Sequence, residues 1–172
     1  PWTTPTPAEV DSIYPDIEAL YIDLHLNPEL AYQETQTAAK LASRVRALGF
    51  DVTTGVGRTG IVAIMKNGSG PTVLIRTELD ALPVEERTGL AYASHVTTKD
   101  DAGNTVPVLH ACGHDIHMTC LLGAATPLAN SKASRPGTLV LLRHPPRVGG
   151  RGAGGSRKAR PLHAVPNADP RH

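Results

Sequence analysis

The pattern of apolar residues predicts two helices at the beginning of the chain. The first follows Thr6-Pro7-Ala8-Glu9, which offers a threonine cap, a proline at the first helical position and a glutamate at the third. Pro15 either delays the start of this helix or kinks it, and Asn27-Pro28 ends it. The second helix is predicted from about Glu34 to Leu48, with Gly49 at the position of a left-handed cap. Both helices have one apolar stripe, formed by Ile13, Ile17, Leu20 and Leu24 and by Ala38, Leu41, Ala42, Val45 and Leu48.

Short β-rich runs follow these helices. They are separated by glycine-containing turns and comprise Asp51–Thr54, Ile61–Lys66, Thr72–Arg76 and Gly137–Leu142. The run at 72–76 is nearly continuous in apolar residues, which is typical of a strand buried on both faces, and 137–142 is another candidate for a buried strand. A third helix is predicted from Asp115 to about Leu128, and residues 97–105 indicate an exposed loop or hairpin tip. Helices that alternate with apolar strands indicate an α/β fold.

Residues 143–172 depart from this pattern. Arg, Gly and Pro dominate there, and the sizeable aliphatic residues are Val148, Leu162 and Val165. Such a segment buries too little apolar surface to offset its ordering entropy, so we expect it to be disordered. The chain therefore divides into residues 1–142, part of an α/β domain, and a tail. We also expect an unpaired sheet edge at the strand ending near Leu142, and hence poor solubility.

The same tail holds much of the positive charge. The net charge is +1, yet seven of the 17 Lys and Arg residues, but only one of the 16 Asp and Glu residues, follow Leu142. A nucleic-acid-binding arm would explain this, but Arg147–Arg160 has no interleaved aromatic residues, so we expect no nucleic-acid partner. No apolar run approaches the ~20 residues of a membrane helix, so we expect no membrane partner. Cys112 and Cys120 leave the compartment open: cytoplasmic, or periplasmic or secreted if a signal peptide was removed.

The densest cluster of reactive side chains is His110-Ala111-Cys112-Gly113-His114-Asp115-Ile116-His117. Thiolate and imidazole suit zinc and similar divalent ions, and Gly113 lets the backbone curl so that Cys112 and His114 can face one ion. Asp115 could orient an imidazole. The alternative is a buried cysteine among surface histidines, which explains any single residue better than it explains the whole set. The cluster predicts a metal site whose remaining ligands lie elsewhere.

A second cluster, Arg76–Pro83, lies at the end of the apolar run at 72–76. Groups just past the carboxyl ends of strands often bind ligands in α/β sheets. Glu78 and Asp80 share one side of an extended chain, although a polar strand end with a turn would look the same. Other polar residues are assigned solvated or structural roles: Glu85, Glu86, Asp100 and Asp101 on solvated faces or loop tips, His25 and His95 in structural positions, and Cys120 in the core.

The two clusters together carry a family resemblance. Leu24–Glu34, Ile75–Pro83, His110–Thr119 and Gly137–Leu142 resemble the dinuclear metallopeptidase family of hippurate hydrolase and indoleacetyl-amino-acid hydrolase. The resemblance implies a zinc-peptidase-like α/β catalytic domain, here incomplete and without the inserted dimerisation or lid domain through which the family forms homo-oligomers. It also implies hydrolysis of the amide bond of small N-acyl amino acids with two divalent metal ions, zinc or manganese.

Residue by residue, the resemblance implies that Cys112 and His114 are metal ligands and that Asp80 is a catalytic residue near the metals. The family's general-base glutamate and its next ligand glutamate align here with Arg147 and Val148. Arginine stays protonated and cannot act as a base, so we expect this chain to be inactive alone. A frameshift would explain both the missing glutamates and the basic tail. The alternative function is a non-catalytic pseudoenzyme or metal-binding fragment.

Overall fold

The computed structural model describes residues 5–132 and 136–144. In these residues it contains the helices α1 (Pro7–Leu26), α2 (Thr35–Ala47) and α3 (His114–Asn130). The strands are β1 (Asp51–Val56), β2 (Gly60–Asn67), β3 (Thr72–Glu78), β4 (Thr97–Lys99), β5 (Thr105–Pro107) and β6 (Gly137–His144). All the predicted helices and strands are confirmed, and residues 97–107 form the hairpin β4–β5. Residues 145–172, which include Arg147 and Val148 and most of the predicted tail, lie outside the described residues.

Helix α1 begins where its capping residues predict. The Thr6 hydroxyl accepts a hydrogen bond from the Glu9 backbone N–H at 3.3 Å, and the Glu9 carboxylate accepts one from the Thr6 backbone N–H at 2.7 Å. These two bonds complete a capping box. The helix continues through Pro15 to Leu26, so Pro15 does not delay its start. Proline removes one hydrogen bond, to the carbonyl of Asp11, and both residues are exposed, so water can satisfy that carbonyl.

A carboxylate from the preceding loop caps α2. Glu29 accepts hydrogen bonds from the backbone N–H groups of Gln36 at 3.1 Å and Thr37 at 2.7 Å, which satisfies two of the unpaired donors at the start of a helix. At the other end, Gly49 has φ +87°, the left-handed conformation predicted for this position. Because glycine adopts that conformation without a Cβ clash, the chain turns at once from α2 into β1.

The main sheet is mixed, with the strand order β1-β2-β6-β3. Strand β6 pairs antiparallel with β2 and parallel with β3. The predicted unpaired edge near Leu142 is therefore wrong, because β6 lies between two strands that precede it in sequence. The edges among the described strands are β1 and β3. The prediction that residues 72–76 are buried on both faces is also wrong, since Leu74 on the edge strand β3 is 40% exposed.

Three helices cover one face of this sheet. Alternate side chains of β2 and β6 point toward α1, α2 and α3, and the almost completely buried residues there include Leu20, Leu41, Met118 and Leu141. The opposite face has a smaller apolar cluster around Val62 and Val140. Helices layered on a mixed sheet confirm the predicted α/β class. Along the described residues, none of the helices combines the length and the apolar character that a membrane crossing requires.

Cys120 does not belong to this core, contrary to its assignment from sequence. It is exposed, because α3 buries a different stripe, formed by Met118, Leu121, Leu122, Ala125 and Ala129. At about 100° per residue, position 120 falls on the opposite side of the helix from that stripe. The apolar neighbours of Cys120 in sequence therefore did not indicate its own burial.

Candidate metal centre

The carboxyl end of β3 meets the N-terminus of α3. Strand β3 ends at Glu78 and the chain continues to the buried Asp80, while α3 begins at His114, directly after Gly113. Gly113 has φ +71°, which glycine adopts without strain and which turns the chain into the helix. The two clusters singled out in the sequence thus lie side by side, at the kind of sheet edge where α/β proteins bind ligands.

Glu78, His114 and His117 form a group that could hold a metal ion. One ligand atom from each residue, a carboxylate oxygen or a ring nitrogen, lies within 4.8 Å of the other two. His114 and His117 are three residues apart on α3, which places them on one face, and their ring centroids are 5.8 Å apart. Two imidazoles and a carboxylate suit zinc and other first-row divalent ions. The donor chemistry therefore fits a divalent cation.

The His114 ring is oriented by Asp80. Its Nδ1 lies 2.8 Å from the backbone carbonyl oxygen of Asp80, and because a carbonyl can only accept, Nδ1 must carry the proton. The lone pair of the neutral ring is then on Nε2, which is free to bind a metal. The Asp80 carboxylate is also close, with Oδ1 3.3 Å from the same Nδ1, and it raises the pKa of His114 although burial acts in the opposite direction.

Buried polar atoms without partners occur in the same region. Among the described residues, such side-chain atoms are Oε1 of Glu34, Oδ1 of Asp80 and both ring nitrogens of His110. Oδ1 of Asp80 is near His114, but the ring donates to the Asp80 carbonyl instead. A buried group left unpaired costs about 1–3 kcal/mol, and folded proteins contain few of them. Their concentration here indicates a place where an ion or water completes the hydrogen bonding.

Electrostatic effects connect these unpartnered groups. Burial raises the pKa of Glu34, the hydroxyl of Thr59 opposes this by donating to the carboxylate at 2.6 Å, and the charge of Asp80 adds to the increase. Burial lowers the pKa of His110 to about 4. The His110 ring is therefore neutral at pH 7, with one unpartnered N–H group and one unpartnered lone pair. The region combines carboxylates with a neutral imidazole, and the guanidinium of Arg76 pairs with the carboxylate of Glu78.

Of the three predicted site residues, the structure brings Asp80 and His114 together. Cys112 is exposed and is not part of the group formed by Glu78, His114 and His117, so its role as a ligand stays a prediction. Glu78 and His117 lay within the two clusters but were not assigned a role. The spacing of three between His114 and His117 on a predicted helix was the signal that could have identified His117.

Glu86 was wrongly assigned to a solvated face. Its side chain is fully buried and contacts the ring of His25. Glu85 is exposed, as predicted, and it pairs with Arg87. Two consecutive glutamates after a turn give no local indication that one of them is buried, because the partner of Glu86 is 61 residues away in sequence. His95, the other histidine that was assigned a structural position, is exposed.

Known proteins are similar to this chain in both fold and sequence. Residues 74–157 match the model of peptidase family M20/M25/M40. The chain is 35% identical over 130 residues to IAA-amino acid hydrolase ILR1-like 5 of Arabidopsis thaliana, and this alignment covers 76% of this chain and 28% of that protein. It is 34% identical over 148 residues to N-acetyl-L-cysteine deacetylase of Bacillus subtilis, and this alignment covers 86% of this chain and 33% of that protein.

A solved structure gives the same picture. The Bacillus subtilis YXEP protein, described as a dinuclear metal binding peptidase from the M20 family, superimposes with a TM-score of 0.74 at 29% sequence identity. The match covers 87% of this chain and 40% of that chain. This chain spans only 28% to 33% of the length of the two curated relatives. The part that it shares with them includes the region around β3 and α3.

Proposed function

Because this chain belongs to peptidase family M20/M25/M40, we propose that it forms part of the metal centre of an amidohydrolase. The proposed substrates are small N-acyl amino acids, since two relatives are named as an N-acetyl-L-cysteine deacetylase and an IAA-amino acid hydrolase. The proposed cofactors are two divalent ions, zinc or manganese, because a similar solved structure is described as dinuclear.

The orientation of His114 carries this proposal. A hydrogen bond from Nδ1 to the Asp80 carbonyl fixes the tautomer whose Nε2 can bind a metal. One ligand atom each of Glu78, His114 and His117 lies within 4.8 Å of the other two. These three residues would hold one metal ion, and Cys112 is the further ligand that the resemblance implies.

The residues of this chain would bind the metal and hold it in place. A bound divalent ion polarises the scissile carbonyl and lowers the pKa of a water molecule. Asp80 keeps the His114 ring in its metal-binding orientation through its backbone carbonyl, which accepts a hydrogen bond from Nδ1 at 2.8 Å. His110, neutral and buried, offers an N–H group that could donate to an oxygen atom of a bound water or substrate.

The chain also lacks groups that this reaction needs. A neighbouring carboxylate normally takes the proton of the attacking water and later gives it to the leaving nitrogen. The positions that align with the family's two glutamates are Arg147 and Val148, and arginine can serve neither purpose. We therefore propose that the 172-residue chain binds metal but does not turn over substrate, which is also what a non-catalytic metal-binding protein would do.

Metal content and turnover, measured together, test the proposal. The chain is dialysed against zinc, manganese or cobalt, its bound metal is quantified, and release of free amino acid is followed with N-acetyl-L-cysteine and other N-acyl amino acids. We expect bound metal without turnover, loss of the metal in His114→Ala, and retention of it in the matched exposed variant His95→Ala. Absence of bound metal contradicts the metal centre, and metal-dependent turnover contradicts the role given to positions 147 and 148.

A further inference from the structure

A buried histidine outside the metal centre is bonded at both ring nitrogens. His25, in the last turn of α1, has Nδ1 2.7 Å from Oδ2 of Asp115 and Nε2 3.1 Å from Oε1 of Glu86. The three side chains are 8%, 2% and 0% exposed, respectively. The rings of Tyr21 and Tyr92 lie beside it, with centroids 5.7 and 5.6 Å from that of His25. This network joins three segments that are distant in sequence.

The contacts of His25 favour its protonated form. Both neighbours of the His25 ring are carboxylates, which when ionised only accept hydrogen bonds, so this arrangement favours an imidazolium that donates from both nitrogens. Burial disfavours the charge, but hydrogen bonds to Asp115 and Glu86 outweigh it and raise the pKa of His25. The attraction within a buried ion pair offsets the desolvation of its charges only when further hydrogen bonds satisfy its members. Here they do, because Asp115 also accepts from the Ile116 backbone N–H at 2.9 Å.

One side of this network reaches the metal centre through α3. Asp115 directly follows His114 in the first turn of the helix. The bond from His25 to Asp115 therefore links α1 to the residue next to the candidate ligand. The contact is direct, and rotation or displacement of the first turn of α3 would break it.

The other side reaches the same segment from its beginning. Glu86 accepts a hydrogen bond from the backbone N–H of Ser94 at 2.5 Å, and the Ser94 hydroxyl donates to the carbonyl of Val108 at 2.8 Å. Residues 108–115, which we name the ligand segment, start at Val108 and include Cys112 and His114. His25 is thus connected to both ends of the ligand segment.

We propose that His25 is a positioning residue for the metal centre, holding both ends of the ligand segment through Asp115 and Glu86. It does not touch the metal itself; it keeps His114 where the ring can face Glu78 and His117. The inference rests on the proposed function, because it assumes that the ligand segment binds a metal. Replacing a group that hydrogen-bonds to a metal ligand and orients it typically lowers metal affinity by about 10- to 100-fold.

Cobalt binding to the full chain tests this role. The dissociation constant and the visible spectrum of bound Co²⁺ are measured for the unaltered chain, for His25→Gln and for Leu24→Ala. Leu24 is buried in the same turn of α1, so its truncation destabilises the helix packing but leaves the His25 network intact. At equal folded fraction, we expect His25→Gln to weaken Co²⁺ binding about 10- to 100-fold and to alter the spectrum, and Leu24→Ala to do neither. Equal effects of the two variants overturn the proposal.

Amide hydrogen exchange of the metal-free chain separates this proposal from the proposed function. We expect His25→Gln to speed exchange at residues 109–115 relative to the rest of α3, whereas Leu24→Ala should not favour that segment. If the unaltered chain binds no metal, the proposed function fails, but exchange still decides whether His25 holds the ligand segment. If His25→Gln does not fold, Glu86→Gln weakens the same network at constant size, and unchanged exchange in it overturns the proposal.

Discussion

The helix-covered face of the sheet and the metal centre are built in opposite ways. On the helix-covered face, aliphatic residues fill the space, and the buried hydroxyl of Thr119 donates to the carbonyl of Asp115. In the metal centre, Glu34, Asp80 and His110 are buried with polar atoms that lack partners. The first region is complete as the chain folds, whereas the second leaves donors and acceptors for something that the chain does not supply.

This contrast indicates where stability and function lie. Apolar packing stabilises the chain in proportion to the area removed from water, and it does so without any ligand. Unpaired buried polar groups destabilise the folded state and persist where binding needs them. Substitutions in the two regions should therefore change the free energy of unfolding in opposite directions, or one region should affect stability and the other metal binding.

The largest expected effect is on the packed face. Leu41 is 1% exposed and lies between α2 and the sheet, so Leu41→Ala should lower the free energy of unfolding by about 2–5 kcal/mol. Urea denaturation measures this loss, and Val10→Ala, at a 47% exposed position, should change stability by no more than about 0.5 kcal/mol. The contrast is broken if Leu41→Ala also weakens metal affinity in the folded fraction.

Zinc should stabilise the chain through the other region. A ligand that binds only the folded state adds about 2.7 kcal/mol at 100 times its dissociation constant, and His114 is the residue on which that binding depends. Urea denaturation with and without zinc should show the increase in the unaltered chain and in His95→Ala, but not in His114→Ala. An equal increase in His114→Ala would place the zinc elsewhere.

Sequence patterns predicted the elements of the packed face but not their arrangement. The capping residues at Thr6 and Glu9 and the cap glycine Gly49 act within a few residues of one another, so local sequence defines where α1 begins and α2 ends. The position of β6 between β2 and β3 depends on pairing between strands that are far apart in sequence. No local pattern encodes that pairing, which is why the predicted sheet edge was wrong.

The metal centre was predictable only where unusual residue types are adjacent. The cluster around His114 and the carboxylate of Asp80 stood out in sequence, and the structure places them together. Glu34 and Glu86 did not stand out, because a single glutamate is usually solvated. Their burial depends on partners that are distant in sequence, Thr59 for Glu34 and His25 for Glu86.

Replacing His110 should stabilise the chain in the absence of metal. Both of its ring nitrogens are buried without partners, so His110→Leu removes two unsatisfied polar atoms at similar volume. We expect a gain of about 1–3 kcal/mol in the free energy of unfolding, measured by urea denaturation of the metal-free chain. The exposed variant His95→Leu should change it by no more than about 0.5 kcal/mol. A loss in His110→Leu would instead show that buried water already satisfies the ring.

The smallest expected effect is a pH dependence from Glu34. Burial raises the pKa of this carboxyl, so the folded chain binds its proton more tightly than the unfolded chain. In the unfolded chain a glutamate has a pKa of about 4.3. The stability that Glu34 contributes is therefore present below that pH and is lost as the pH rises through the folded-state pKa. Glu34→Gln mimics the protonated form, so its stability relative to the unaltered chain should increase with pH across this window. Exposed Glu85→Gln should show no such increase, and a difference between Glu34→Gln and the unaltered chain that is constant with pH would contradict the raised pKa.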